Sequence, residues 1–533
     1  MNISGSSLLF WLPIVPLIGA VVIAMIPAAY RRVAGIAALG ILTFLLIAIL
    51  TFPPLVLPWH LNPSVQSVSV AKLWIPDLNI SYRLVLDGYA GWMILLSILS
   101  AITCLLTMTF NTRDPYHRGG IFAILVLQSS AIGVFLARDV LTFLFAWGLW
   151  LIIPFCAPLH QRTAKKTAGL VKFFIFHLLS LLLVAAALAL LTVSVFKNTA
   201  VQELDVAGLA KLSIPKHIQM WLLIFLFPGL AIRLPLFPLH GWLSDILDEF
   251  PPYLSAFLTA TGSAAACYAL LRICLPLCPD TILSINRYLI FTANVSMVYG
   301  ALVALVNPHI FQRIGFAVLS YSGFFILGIF SLNGAGLLGT ALTSASFMII
   351  TVILFLATGW ISRQADSVLL QDFGGIWRKS PLMTGIFLLA ALAFVGVPGL
   401  CLFPGIFLLI GGTLMSQPAW AAVAIAAFLI LAAGMLWMFQ QMFTGTISAA
   451  VAKFQPYEDI APGRILIPVT ALIIWFGFFP QYMIRSMNHP VDIVNQHIQS
   501  HRIFMKTRPG TSPLEHFLKL NNPPDTPSDT LRK

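Results

Sequence analysis

Fourteen apolar stretches, centred near residues 17, 42, 98, 128, 149, 183, 226, 265, 295, 321, 349, 395, 430 and 475, run through this chain of 533 residues. Each is close to the ~20 residues that an α-helix needs to cross the hydrocarbon of a bilayer. The pattern predicts an all-α polytopic membrane protein of about fourteen transmembrane helices packed as one bundle. Composition agrees, since 59% of residues are hydrophobic and 9% charged, with a mean hydropathy of +0.94, whereas a soluble domain carries about 25% charged residues. The net charge of +12 comes from Lys and Arg scattered singly over short loops and a polar end. With no basic stripe interleaved with aromatics, nucleic acid is excluded as a partner.

The run Arg233-Leu-Pro-Leu-Phe-Pro-Leu-His-Gly-Trp-Leu-Ser-Asp245 interrupts the seventh stretch. Pro235 and Pro238 each remove a backbone donor and obstruct the carbonyl one turn earlier, while Arg233, His240 and Asp245 are costly at membrane depth. Such a break survives only where protein or water surrounds it. Broken helices that carry ionisable groups are how transporters build ion sites, so the run points to ion movement or to an architecture inherited from it. A second interrupted stretch, around Pro398 and Pro404, lies in the corresponding part of the second half. That spacing suggests a duplicated unit.

Elsewhere the sequence narrows the chemistry. Cys104, Cys156, Cys267, Cys274, Cys278 and Cys401 sit in or beside apolar stretches without paired loop spacing, which predicts core thiols. No Cys or His cluster has the spacing of a metal or haem site, and no glycine-rich phosphate loop follows a strand, so no metal and no cofactor is expected in this chain. Met1 to Phe10 has no basic region ahead of its apolar run and reads as the start of the first span rather than a cleaved signal. Alternation such as Val65 to Val70 within the 53–83 loop is compatible with a short hairpin outside the membrane. Residues 486–533 turn polar and are expected to form a surface tail too poor in apolar residues to fold alone. Lys and Arg are more frequent in the odd-numbered connections, which places both termini on the outward side.

Several further stretches carry a family signal. Leu86-Asp87-Gly88, Gly133-Val-Phe-Leu-Ala-Arg-Asp139, Lys172-Phe-Phe, the run from Arg233, Tyr268-Ala-Leu-Leu-Arg272, Leu327-Gly-Ile-Phe-Ser331, Asp372-Phe-Gly-Gly375 and Val397-Pro-Gly399 occur in this order. Together they resemble the antiporter-like membrane subunits of proton-pumping NADH–quinone oxidoreductase (respiratory complex I), most closely subunit M (chain 4), in a divergent copy matching over roughly residues 80–485. The resemblance implies two inverted five-helix repeats with broken helices in spans 7 and 12. Residues 1–110 would hold spans 1–3, residues 120–276 the first repeat (spans 4–8), residues 284–442 the second (spans 9–13) and residues 465–485 span 14. It further implies sister subunits in a membrane arm, a bacterial cytoplasmic (inner) membrane, and a part in proton-coupled respiratory electron transport as a non-redox subunit of an enzyme, without a catalytic centre of its own.

Each position that carries protons in that family departs from the pattern here. A glutamate follows Trp147 in the family, and Gly148 stands in its place. The lysine of the broken seventh helix is Arg233, the lysine of the eighth span falls at Ala264, and the glutamate of the twelfth falls at Ile406. Phe347 replaces the histidine of the eleventh span, and Tyr321-Ser322 the Ser-His of the tenth. A buried lysine can gain and lose a proton, but a guanidinium stays charged. Arg233 can therefore anchor water or repel cations without relaying its own proton. It is expected to face carbonyls, water or an acid, with Asp139 the nearest acid on offer.

Lys172, His177 and His240 remain proton-path candidates. The competing readings are a snorkelling lysine, a hydrogen-bonded core histidine and a structural partner for freed carbonyls. Asp245, Asp248 and Glu249 read as a solvated loop face, and Asp87 as the cap of the third helix. Two functional readings stay open: a complex I subunit whose own path is either degenerate or rerouted, and a subunit of an ion-antiport or inorganic-carbon uptake assembly. A self-sufficient transporter of another solute is disfavoured by the lack of an evident substrate pocket.

Overall fold

The computed structural model describes residues 3–27, 30–52, 67–75, 80–109, 117–156, 164–198, 214–454 and 460–507. Its elements are α1 (Ile3–Trp11), α2 (Ile14–Met25), α3 (Arg31–Leu50), a hairpin of β1 (Ser67–Ile75) and β2 (Ile80–Asp87), α4 (Gly88–Thr109), α5 (His117–Leu136), α6 (Val140–Gly148), α7 (Ala164–Asn198), α8 (Lys216–Arg233), α9 (Leu243–Glu249) and α10 (Pro252–Ala269). There follow α11 (Pro279–Val306), α12 (Ile310–Phe330), α13 (Gly334–Ala365), α14 (Pro381–Phe394), α15 (Phe403–Ser416), α16 (Pro418–Phe443), α17 (Ile460–Phe478) and α18 (Gln481–Thr507). Nine helices among the described residues are long and apolar enough to cross a membrane, and the shorter apolar helices include α2, α14 and α15. The protein is a predominantly helical, polytopic membrane protein.

Local signals set the element boundaries. Asp139 caps α6 by accepting from Thr142 N at 2.7 Å, and Asn333 caps α13 by accepting from Gly336 N at 2.8 Å. Pro252 opens α10, where its missing N–H is not needed. The hairpin pairs antiparallel, Ser67 opposite Asp87 and Val70 opposite Leu84. Of the alternating stretch from Val65, the first two residues lie outside the described residues.

Helix α13 is the centre of the bundle. It packs against α4, α10, α12, α14, α15 and α18 and is buried on every face. Small residues permit the closest approach. A Cβ on Gly339 would fall 2.3 Å from Leu409 N, and one on Gly405 would fall 2.6 Å from Thr343 N, so the backbones of α13 and α15 touch where side chains would normally separate them.

The expected polar tail from residue 486 is corrected by the structure. Residues 481–507 form one continuous helix, bent 70° from α17, that lies across α4, α11 and α13. Met483, Met487, Val491, Val494 and Ile498 recur at helical spacing and are buried against the bundle. The overall polarity of the segment hid this stripe, because its outer face is polar. Residues 508–533 lie outside the described residues.

Candidate functional site

The seventh stretch breaks where the prolines require it. Helix α8 ends at Arg233, Leu236 N reaches back to Ala231 O at 3.1 Å, and the chain turns through Trp242 into α9. A break leaves the last carbonyls without helical partners. Here Trp242 Nε1 donates to Ile232 O at 2.9 Å. The second break, between α14 and α15, is resolved alike. Gly396 (φ +65°) and Gly399 (φ +91°) take the left-handed conformations, Tyr321 donates its hydroxyl to Phe394 O, and Ser346 Oγ donates to Cys401 O at 2.9 Å. Side-chain donors thus satisfy freed carbonyls at both breaks, from within the interrupted run at the first and from α12 and α13 at the second, and Trp and Tyr do what His240 was expected to do. His240 instead packs its ring against Phe237 and Tyr299, and its Nδ1 has no hydrogen-bond partner among the described residues.

Arg233 is 2% exposed and lies between two indoles. Its guanidinium carbon is 3.6 Å from the ring centroid of Trp147 and 4.2 Å from that of Trp150, and Nη2 donates to Trp147 O. Arg233 itself closes α8, so the cation sits at the partly negative C-terminal end of that helix. Two aromatic faces, a carbonyl and one helix end surround the cation in place of an acid. A desolvated cation–π contact contributes about 2 kcal/mol. Nε and Nη1 of Arg233 have no protein partner among the described residues.

Asp139 does not serve as counter-ion. Its carboxylate is engaged on both oxygens, by Thr142 N and by Arg83 N at 3.0 Å, and it caps the opposite end of α6. Eight residues of helix separate it from Trp147, a rise of about 12 Å.

The remaining candidates divide. His177 is buried beside Arg233, stacked on Phe173 with centroids 3.9 Å apart and on Trp150 at 5.2 Å; its Nδ1 is 2.9 Å from Phe173 O, and its Nε2 is without a hydrogen-bond partner among the described residues. Lys172, five residues earlier, pairs with Asp245 at 2.8 Å while both side chains remain partly exposed. The loop face from 245 to 249 is therefore less solvated than its composition suggests. Asp248 accepts from Gln312 Nε2 at 2.9 Å and lies 3.4 Å from His309 Nε2, and Glu249 packs on Gly169.

The positions at which the family resemblance implies lost carriers have mainly apolar surroundings. Ala264 and Phe347 are fully enclosed, and Ile406 is buried. The outer edge of the Trp150 ring abuts Gly262, where a Cβ would meet it at 2.2 Å. Phe347 packs with Tyr321, Phe325 and Phe394. The nearest side chain to a Cβ at Gly148 would be Leu181, 3.5 Å away. On α13, Thr340, Thr343 and Ser344 each donate to a carbonyl of their own helix.

Sequence reasoning overlooked two groups. Trp147 and Trp150, three residues apart and so on one helical face, read as ordinary packing residues; their spacing ahead of a buried arginine is the available signal. The other group is ionic. Asp87 caps α4 through Ala90 N at 2.9 Å, as expected, but it also pairs with Arg272 Nη2 and lies 3.4 Å from Arg138 Nη2, while Arg272 Nη1 donates to Pro490 O on α18 at 3.0 Å.

A family model described as NADH:quinone oxidoreductase/Mrp antiporter, TM, matches residues 137–432, more than half of the chain and including both breaks. The chain belongs to this family. Among its relatives, NADH-ubiquinone oxidoreductase chain 4 of Chondrus crispus is 26% identical, covering 92% of this chain and 97% of the relative. NADH-quinone oxidoreductase subunit M of Mycobacterium tuberculosis is 27% identical, covering 90% and 92%. The fold is similar to a chain of respiratory complex I from Thermus thermophilus (TM-score 0.79, 22% identity, 92% of this chain and 99% of that one) and to one of the Mrp complex from Dietzia sp. (TM-score 0.78, 19% identity, 94% and 100%). In this antiporter-like family member the region around the seventh-helix break holds an aromatic-caged arginine. Among the described residues no three His, Cys, Asp or Glu side chains converge as metal ligands would.

Proposed function

We propose that this chain is a membrane-arm subunit of an NADH–quinone oxidoreductase, taking part in proton-coupled respiratory electron transport beside sister subunits, and that its own proton path is closed. The relatives' names and near full-length coverage support the first half. The observation that carries the second is the caging of Arg233 between Trp147 and Trp150. A relay needs a group that toggles and a partner that shifts it, and here the cation cannot toggle and, among the described residues, has no acid to pair with. In this reading the subunit acts as a spacer that transmits conformational or electrostatic change between neighbours.

The finer architecture belongs to the same proposal. We read fourteen spans in two inverted repeats over 120–276 and 284–442, preceded by spans 1–3 and followed by span 14. All fourteen expected centres fall on a helix or on one of the breaks, which supports this count. Both termini face outward from a bacterial inner membrane, and the chain contributes no catalytic centre or cofactor of its own.

The test is reconstitution of the purified complex with Arg233→Ala and measurement of protons moved per electron pair. The expected ratio is that of the parent complex, and a large fall with intact assembly overturns the closed path. A second reading, a subunit of an ion-antiport assembly, is favoured by the near-equal likeness to the Mrp chain. Co-purification decides between them: flavin-binding and quinone-site subunits support the first, an antiporter set the second.

A further inference from the structure

A cleft of about 520 Å³ opens on the flank of the bundle between α2, α5 and α6. Its walls are mostly carbon. Leu17, Gly133, Leu141 and Phe145 line it, and Phe145 is 62% exposed, so the cleft is open on the outside of the bundle. Its mouth has a different character, because Lys72 and Tyr82 of the hairpin line it there. The Lys72 ammonium lies 4.4 Å from the centroid of the Phe10 ring, which packs edge-on against Tyr82.

An apolar slot capped by one cation has the polarity of an anionic lipid, an acyl chain below a charged headgroup. The size of the slot lies within the roughly 300–1,000 Å³ range of specific ligand pockets. Basic side chains at a membrane surface attract acidic headgroups, and a lysine packed on an aromatic ring is held in place to do so.

We propose that this cleft binds one acyl chain of an anionic phospholipid, with Lys72 holding the phosphate and Tyr82 lining the mouth. The charge of Lys72 at the head of an otherwise apolar slot selects this occupant over a zwitterionic lipid or an uncharged isoprenoid tail. Neither Arg233 nor the closed-path reading enters the argument.

The experiment uses the intact complex purified in mild detergent, with retained lipids identified by mass spectrometry and rebinding measured by adding phosphatidylglycerol or phosphatidylcholine. The parent complex should retain one more anionic phospholipid than Lys72→Glu, whose affinity for phosphatidylglycerol should fall about tenfold while Lys72→Arg retains it. Lys72 is exposed, so neither exchange threatens folding. Leu141→Trp, which fills the slot, should displace the lipid whatever its headgroup. Retention that is equal in all variants, equal affinity for the two headgroups, or a map of the complex with a sister subunit's side chains in the slot would each overturn the proposal.

Discussion

Asp87 offers the sharpest test of how this bundle is held together. Its carboxylate accepts from Ala90 N at the start of α4, pairs with the buried Arg272, and lies at long range from Arg138, whose side chain is 20% exposed. Replacement by Ala removes the helix cap, worth about 1 kcal/mol. It also leaves the buried Arg272 guanidinium without its carboxylate, held by the Pro490 carbonyl and the Tyr268 side chain, neither of them an anion. Breaking a buried pair from one side costs about 3–5 kcal/mol, and the partly exposed Arg138, at 3.4 Å, adds less. The combined loss of roughly 4–6 kcal/mol compares with a typical folding stability of about 5–15 kcal/mol. Asp87→Ala should therefore leave little chain in the assembled complex, as read by native gel of solubilised membranes and by the midpoint of thermal inactivation. Asp87→Asn keeps the cap and the volume and should be intermediate. Asp87→Ala combined with Arg272→Met removes both charges and should recover most of the loss. If Asp87→Ala assembles like the parent, or if the double variant is no better than the single one, the buried pair does not hold the hairpin, α10 and α18 together.

Three smaller perturbations probe other elements. Gly262→Ala forces a methyl into the Trp150 ring and should destabilise by about 1–3 kcal/mol through overpacking, seen as a lower thermal midpoint that Trp150→Leu in the same chain partly restores. Lys172→Ala or Asp245→Asn breaks a pair whose side chains are 43% and 37% exposed, so stability should change by no more than about 1 kcal/mol and proton stoichiometry not at all. Met487→Asp puts a carboxylate under α18, where the side chain is fully enclosed; limited proteolysis should then cut residues 481–507 much faster than in the parent.

Much of the architecture was legible because the bilayer makes the code coarse. Long apolar runs announce helices, and prolines beside an arginine announce a break that protein must enclose. Asp87-Gly88 was recognisable as a cap position from its place ahead of an apolar run, whereas Asp139, read from the sequence as a counter-ion for Arg233, caps α6 instead. What stayed hidden has a common cause. Asp87 and Arg272 are 185 residues apart, and no periodicity links them. Trp147 and Trp150 look like any buried aromatics until the third partner, Arg233, is brought between them by the fold. The apolar stripe of α18 was diluted by the polar face it shares a helix with, so average composition read as a tail what spacing could have read as a helix.

The enclosure of α13 has a consequence for how the subunit responds to its surroundings. Its 32 residues extend about 48 Å at 1.5 Å per residue, well beyond the ~30 Å thickness of the hydrocarbon. A solitary rod of that length would lean over to hide the mismatch. This one cannot, because neighbours grip it on every side, and its inclination is set by their shapes. A thicker or thinner bilayer would first be felt by the outer ring of helices, leaving the spindle at the centre to report only what they pass inward.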